Sequence, residues 1–388
     1  MRICHIITRL IIGGAQENTI LTCEGLHARG HDVTLMAGPT DGPEGSLLDR
    51  VRAGHYRFIE CPPLVRRISP IGDIQALLDL QKLLLEIQPD VVHTHTSKAG
   101  ILARAAARRT GIPLIVHTIH GMSFNRTQRA AKRGLFRALE RRCGRYTDHF
   151  VTVSDAMIRQ AVAAGIAPVE RFSTIFSGME LERFDPAAYS ETDVRANWGF
   201  EREHVVVGSI ARLFRNKGYE ELIPTVARAA AANPTLRFVW IGDGAQRDDY
   251  ERRLDRLGLR DRVYLAGLVP PAEIPRMLSG IDMLVHASRW EGLPRAVVQA
   301  LLMEKPAISF DVDGAPEVVR HGETGLLAPL GDTQCLAGAI LDLAGDAQRR
   351  RSLGRAGRRL CFSRFGHDRM VDAIEALYGH LAAARGIC

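Results

Sequence analysis

Short apolar runs alternate with longer stretches in which apolar residues return every three or four positions, and the alternation holds along most of the chain. An unbroken apolar run reads as a strand buried on both faces, and the longer period reads as a helix with one buried face. In the first half, strands are expected over residues 3–8, 31–37, 91–94, 114–119 and 149–153. Helices are expected over 15–29, 71–88 (closed by Pro89), 98–110 and 127–145, with another capped by Ser154. The pattern lapses over 177–200, SGMELERFDPAAYSETDVRANWGF, which has no long apolar strand and carries Asp185 and Pro186. It resumes with strands over 205–210, 237–241, 263–266, 283–286 and 307–310, and with helices over 219–233, 246–257, 273–279 and 295–303. An amphipathic stretch over 368–384 ends the series.

Strands separated by helices imply parallel sheets. The expected fold is therefore α/β, with two tandem Rossmann-like domains. The expected division is a first domain over 1–182, a linker over 183–200 and a second domain over 201–362. Residues 363–388 are expected to form a helix packing back on the first domain. Ligands of such sheets bind at the carboxyl ends of the strands, which here implies an interdomain cleft.

Composition changes this picture little. With 46% hydrophobic and 24% charged residues in 388, the chain reads as a globular protein large enough for two cores. The net charge of +7 favours an anionic partner: nucleic acid, a membrane surface or a phosphorylated ligand. Seven cysteines (Cys4, Cys23, Cys61, Cys143, Cys335, Cys361, Cys388) form no CxxC pair, which argues against a disulfide framework or zinc ribbon and for a reducing compartment. The first residues, MRICHIITRLIIGG, are interrupted by arginine and histidine, unlike a secretory core, and no run reaches the ~18 apolar residues of a membrane span. The expected location is cytoplasmic, or peripheral to the inner face of the membrane.

Several groups of residues suggest chemistry. IARLFRNKG follows a strand and precedes a helix, so Arg212, Arg215 and Lys217 crowd a helix start where phosphate oxygens bind well. A solvated basic loop is the alternative. RWEGLPRAVVQ places Glu291 in a loop and Gln299 two turns into the next helix, where they could hold sugar and ribose hydroxyls. An acidic residue favoured by a helix dipole is the plainer reading. Gly13 and Gly14 follow the first strand and permit close backbone approach, but neither they nor GDGAQR over 242–247 completes a dinucleotide fingerprint. His93, His95, His117 and His120 fall on or beside neighbouring strands. Without HExxH or a cysteine pair they are read as core or strand-end residues rather than zinc ligands, with His120 at the cleft hydrogen-bonding a sugar. Asp311 and Asp313 resemble a metal-binding DxD, but they follow a late strand of a second Rossmann-like domain and read as a turn into a helix. The helix from Thr127 to Arg145 carries Arg126 (just ahead of it), Arg129, Lys132, Arg133, Arg137, Arg141, Arg142 and Arg145, with a thin stripe of Leu135, Phe136, Leu139 and Tyr146. It could lie on anionic lipid or simply face water. No nucleic-acid module accompanies it, so no nucleic-acid partner is expected.

Taken in order, GGAQ, HTHTSKAG, VHTIHG, VSDAM, SGMELERF, SIARLFRNKG, WIGDG, LVHASRWEGLPRAVVQALLMEKP, DGAPEVV and HGETGLL resemble the family 4 retaining glycosyltransferases, of the fold called GT-B, over nearly the whole chain. The resemblance implies a first domain that binds acceptor and a second that binds a nucleotide-sugar donor. Arg212 and Lys217 would hold the donor diphosphate, Gly13 and Gly14 would approach the diphosphate or the acceptor, His120 would contact the transferred sugar, and Glu291 would lie beside that sugar. Gly242, Gly267, Gly292, Leu293 and Pro294 would complete the donor site. The family's second glutamate is Gln299 here, which keeps an acceptor oxygen for ribose and loses the charge. The asparagine common before the family's GVD turn is replaced as well, by Ser177. The implied activity moves a hexose from a UDP-sugar, with GDP-sugar next, to a hydroxyl of a lipid-linked or cell-envelope polysaccharide acceptor. It needs no metal and no cofactor. The alternatives are a UDP-sugar 2-epimerase-like enzyme on the same fold, or a nucleotide-sugar-binding protein that has lost catalysis.

Overall fold

The apolar runs become strands, and every pairing between them is parallel. The computed structural model describes residues 1–40, 44–125 and 128–387. Arg126, Thr127 and Cys388 lie outside the described residues. Seven strands, β1 (Arg2–Ile7), β2 (Asp32–Ala37), β3 (Arg57–Glu60), β4 (Val91–His95), β5 (Leu114–Ile119), β6 (His149–Thr152) and β7 (Phe172–Thr174), form one sheet in the order β3-β2-β1-β4-β5-β6-β7. Six more, β8 (Val205–Ile210), β9 (Leu236–Ile241), β10 (Val263–Gly267), β11 (Met283–His286), β12 (Ala307–Phe310) and β13 (Gly325–Ala328), form a second in the order β10-β9-β8-β11-β12-β13. Each is a doubly wound α/β sheet in which the strand order reverses once, at β1/β4 and at β8/β11.

The first sheet belongs to a unit made of Met1–Met179 and the segment from His367 onward, and the second to a unit over Glu180–Gly366. The helix His367–Ala383 buries Met370, Val371, Ile374 and Tyr378 in the first unit's core beside Ile20, Cys23 and Leu26. A side chain at Gly25 would come within 2.6 Å of Val371, so that glycine sets how closely the helix approaches.

The linker expected over 183–200 is corrected by the structure: this segment is part of the second unit. Helix Glu191–Asn197 is fastened by Arg195, 5% exposed, whose guanidinium donates to Gly280 O at 2.9 Å and to Asp282 Oδ2 at 2.7 Å. Trp198 is buried where Gly280 has no side chain. The segment docks through a few large side chains rather than a repeating apolar face, which is why periodicity reads it as loop. The sequence reading also omits the edge strand β3, the three-residue β7, the strand β13 and the helices Leu48–Ala53, Thr333–Gly345 and Ala347–Arg364.

Three neighbouring helices cover one face of the first sheet. Helix Pro70–Ile87 turns Ala76, Leu80 and Leu84 inward. They meet Ala99, Ala103, Ala106 and Ala107 of helix Ser97–Arg109. On its other side, that helix sends a fully buried Arg104 to Glu140 of helix Ala130–Gly144 at 2.6 Å.

Replacing Arg195 by Met is expected to destabilise the second unit by about 3 kcal/mol, because Asp282 and the Gly280 carbonyl lose a charged donor in a buried place. Urea unfolding followed by tryptophan fluorescence reads this directly, since Trp198, Trp240 and Trp290 all lie in that unit. An unchanged midpoint would restore the segment's standing as a linker.

Candidate active site

At β8/β11 two adjacent strands send their connections in opposite directions, so the loops at their carboxyl ends face each other without a covering crossover. The loop after β8 carries Arg212 and Lys217, and the loop after β11 carries Glu291. The pairing therefore joins residues 74 positions apart: Lys217 Nζ donates to Glu291 Oε1 at 2.6 Å. His286, the last residue of β11, donates from Nε2 to the same oxygen at 3.1 Å. The carboxylate is only 13% exposed. Burial alone would raise its pKa, but the Lys217 ammonium and the His286 hydrogen bond outweigh it and hold the carboxyl well below the usual range.

The backbone at this edge is equally constrained. Gly218, at φ 77°, starts helix Tyr219–Ala232, and a Cβ there would lie 1.7 Å from the Ala287 carbonyl oxygen. No other residue lets the loops after β8 and β11 come so close. Arg212 lies over the Phe214 ring, with its guanidinium carbon 5.1 Å from the centroid. Gly242, after β9, donates its N–H to Gly267 O at 2.8 Å, and a Cβ on Gly242 would strike the Ala211 carbonyl at 2.2 Å. Gly292, Leu293 and Pro294 form the buried turn into helix Arg295–Leu302. Gln299 is half-buried in that helix, and its side chain makes no hydrogen bond to any described residue. The second unit thus gathers Lys217 and Glu291 directly, and it puts Arg212, Gly242, Gly267 and the 292–294 turn at the carboxyl edge of the same sheet.

Two residues passed over in the sequence reading belong here. His286 holds Glu291, and its position at a strand end before a loop glutamate was the available signal. Asp313 accepts the Glu291 N–H at 2.8 Å, while Asp311 is exposed. The DVD run thus fixes the glutamate loop through one of its two carboxylates, and the two face different surroundings.

In the first unit, Gly13 and Gly14 follow β1 at the other reversal. Gly13 has φ 179°, an extended conformation open to any residue, so local geometry does not require glycine there. His120 follows β5 and lines a cavity of about 240 Å³ with Thr96, Ser97, Ser123 and Glu140. Behind it runs a line of rings: His120 Nε2 and His95 Nδ1 share a hydrogen bond at 3.0 Å, and His95 Nε2 and His5 Nδ1 share another at 2.9 Å. His93, in register with His5, bonds Tyr378 and Thr118. His117 lies apart, on the other face of the sheet, bonded to Thr94 at 2.8 Å. The four histidines read together from the sequence are therefore divided by the strand pleat, and His5 joins them only through strand pairing. The candidate metal-ligating atoms of His5, His93 and His95 lie within 4.8 Å of one another. Both nitrogens of His93 and of His95 are already engaged in hydrogen bonds.

Comparison with known proteins identifies the family. Residues 190–360 match the family described as Glycosyl transferases group 1, and residues 13–175 match the family described as Glycosyl transferase 4-like domain. EpsD of Bacillus subtilis (strain 168) is 31% identical over 77% of this chain and 78% of its own. The chain belongs to the group 1 glycosyltransferases. Another relative is the UDP-Gal:alpha-D-GlcNAc-diphosphoundecaprenol alpha-1,3-galactosyltransferase of Escherichia coli, 29% identical over 97% of this chain and 96% of that one. Among solved structures, Alr3699/HepE of Anabaena in complex with UDP and glucose superposes with a TM-score of 0.84. It is 21% identical and covers 98% of this chain and 99% of its own, a likeness of fold. The glycosyltransferase fold is GT-B, with two parallel-sheet α/β domains.

The buried rings of this glycosyltransferase dictate a pH dependence. Burial first, and neighbouring rings second, push His93 and His95 well below the ordinary histidine value. Burial also lowers His117, helped by Arg104, and takes His5 down to about 3. As the pH falls through ~6.5, the unfolded chain protonates these rings and the folded chain does not, so stability drops by about 1.4 kcal/mol per pH unit for each ring. For His5 the loss continues to about pH 3. Urea unfolding followed by far-UV circular dichroism at pH 7.5 and 5.5 should show this loss, and His5→Gln should lessen it by about 1 kcal/mol. A pH-independent midpoint would contradict the buried neutral rings. Separately, Gly218→Ala should cost about 2 kcal/mol or more and lower activity through the displaced loop.

Proposed function

We propose that this glycosyltransferase moves a hexose from a UDP-sugar to a hydroxyl of a prenyl-diphosphate-linked or cell-envelope saccharide, with retention of anomeric configuration and without a metal. The observation that carries the reading is the set of Arg212, Lys217, Glu291 and His286 at the β8/β11 reversal, where Lys217 of one loop meets a held carboxylate from the other and Arg212 lies in the same loop as Lys217. The Escherichia coli relative's UDP-Gal donor and diphosphoundecaprenol-linked acceptor support the choice of substrates.

The negative charge that grows on the departing diphosphate falls to Arg212 and Lys217. Arg212 can bridge two oxygens, and Lys217 acts as a point charge kept in place by Glu291. Side-chain cations of this kind perform the neutralisation that a divalent ion performs elsewhere. The acceptor hydroxyl attacks the anomeric carbon on the face from which the diphosphate leaves. The sugar–phosphate C–O bond breaks, and the released phosphate oxygen takes the hydroxyl proton. Glu291 orients the transferred sugar, His120 contacts it, and Gln299 offers its carbonyl to the ribose hydroxyls. Gly13 and Gly14 approach the donor or the acceptor. A membrane-borne acceptor also accounts for the cation-rich helix Ala130–Gly144, which would meet anionic lipid at the inner face of the membrane.

A thermal-shift panel of UDP, GDP, ADP and NAD tests the donor. UDP at a hundred times its dissociation constant should add about 2.7 kcal/mol to the folded state, and the Arg212→Ala/Lys217→Ala protein should lose that gain. Each single replacement should lower kcat by roughly 10²–10³. Stabilisation by GDP alone moves the reading to a GDP-sugar, and stabilisation by none of the four overturns it. Product analysis with and without acceptor separates transfer from epimerisation.

A further inference from the structure

Helix Tyr219–Ala232 joins β8 to β9, and helix Arg247–Arg256 lies between β9 and β10, so both right-handed crossovers fall on one face of the second sheet. Between the two helices runs a groove of about 600 Å³. The first helix lends it Ile223, Pro224, Ala227 and Arg228. The second lends Arg253 and Arg256, with Leu257 just past its end. Ile223 is buried and Ala227 half-buried, and together they make an apolar floor. Pro224 and Leu257 are exposed at its rim. Helices of a parallel sheet run back from its carboxyl edge, so Arg228 and the 253–257 segment lie toward the amino edge. Lys217 and Glu291 sit at the other edge, and the groove is separate from them.

Two features of this groove bring the fold no benefit. The first is Pro224, which lies inside its helix beyond the first turn, where proline is tolerated. It has no N–H to donate to the Glu220 carbonyl, and its exposed ring fills no core. A residue that breaks a local rule without a packing gain points to a functional surface. The second feature is unmatched charge. Nearby carboxylates pair with other arginines: Arg247 with Asp243 and Glu251, Arg252 with Asp249, and Arg260 with Glu251 and Asp255. Arg228, Arg253 and Arg256 form no ion pair or hydrogen bond with any described residue, and no carboxylate lines the groove. A helix dipole favours the cations Arg253 and Arg256 in the last turn of their helix. It does not account for Arg228, which precedes the last turn of the facing helix and lines the same groove.

We propose that this groove docks an acidic segment of a partner protein. An aliphatic side chain of that segment enters between Pro224 and Leu257, and carboxylates flanking it meet Arg228, Arg253 and Arg256. A guanidinium fork matches a carboxylate with two parallel hydrogen bonds, so three unpaired arginines around one apolar floor are complementary to acid–aliphatic–acid spacing. An apolar anchor ringed by polar contacts is also how peptide grooves divide affinity from specificity. The walls select the occupant. Arg228, Arg256 and Leu257 stand in solvent, so a small ligand would stay largely wet, whereas small-molecule sites bury roughly 70–90% of their ligand. The floor is recessed between two helices, and a flat membrane surface would meet the rim without reaching Ile223. A second copy of this chain docked by a twofold axis would set the same arginines against each other.

Fluorescence anisotropy of a labelled peptide of glutamate–glutamate–leucine–leucine repeats, titrated with the full chain, tests the assignment. One control peptide replaces each leucine by serine, and another replaces each glutamate by glutamine. The glutamate–leucine peptide should bind, less tightly at high salt, and each control should bind roughly tenfold more weakly or worse. Arg253→Glu/Arg256→Glu should weaken the peptide roughly a hundredfold, about tenfold per arginine, and leave stabilisation by UDP unchanged. Pro224→Ala should raise the midpoint of urea unfolding while weakening the peptide about threefold, a split that a proline kept for stability would not give. If the serine peptide binds as tightly as the leucine peptide, the surface is a cation patch without an anchor and the proposal falls. It falls equally if Arg253→Glu/Arg256→Glu binds like wild type, or if the glutamate–leucine peptide does not bind at millimolar concentration. If light scattering shows a dimer that Arg253→Glu/Arg256→Glu dissociates, a second copy is the occupant and the proposal is overturned.

Discussion

Everything proposed for the second unit depends on the adjacency of β8 and β11, two parallel strands whose connections leave on opposite sides. That adjacency is paired backbone to backbone, Met283 with Val207 and Leu284 with Gly208. It brings a lysine and a glutamate from distant parts of the chain to 2.6 Å in a half-covered place. A buried charge is tolerable only when matched, and this one is matched by an ammonium, an imidazole and a backbone position held by Asp313. The same arrangement leaves cations poised at the carboxyl edge of the sheet, where an anionic leaving group can be neutralised. Gly218 is the steric condition for all of it, because any side chain there would drive the two loops apart.

The first unit solves a different problem. Its sheet carries polar rings in the core, and their cost is met by mutual hydrogen bonds rather than by charge: His5 to His95, His95 to His120, and His93 to Tyr378 and Thr118. Neutral rings in line make His120 the outer member of a fixed row, with its orientation set from behind. Tyr378 comes from the C-terminal helix, so the last segment of the chain participates in ordering residues read near its start.

Small residues decide how the covering helices sit. Alanines along helix Ser97–Arg109 let it lie close between its neighbours, and Arg104 beneath it absorbs the one carboxylate of the basic helix. Both neighbours are then left with outward faces that the core does not use. One is aliphatic and the other cationic.

Much was legible from the order of residues alone. Most of the strands, the parallel sheets and the tandem domains follow from apolar runs and spacing, and the placement of Arg212, Lys217, Glu291 and His120 at strand ends follows from motif order, because buried parallel strands and loop-end residues leave local marks. What stayed hidden was whatever depends on residues remote in sequence. Residues 183–200 looked like a linker because they dock by one arginine and one tryptophan rather than by a periodic face. His5, His286 and Asp313 acquire their partners through strand register and a loop contact that no local pattern encodes. The exposed aliphatic stripe was read as ordinary helix amphipathicity, because a sequence shows that two faces are apolar and only packing shows which one the core takes.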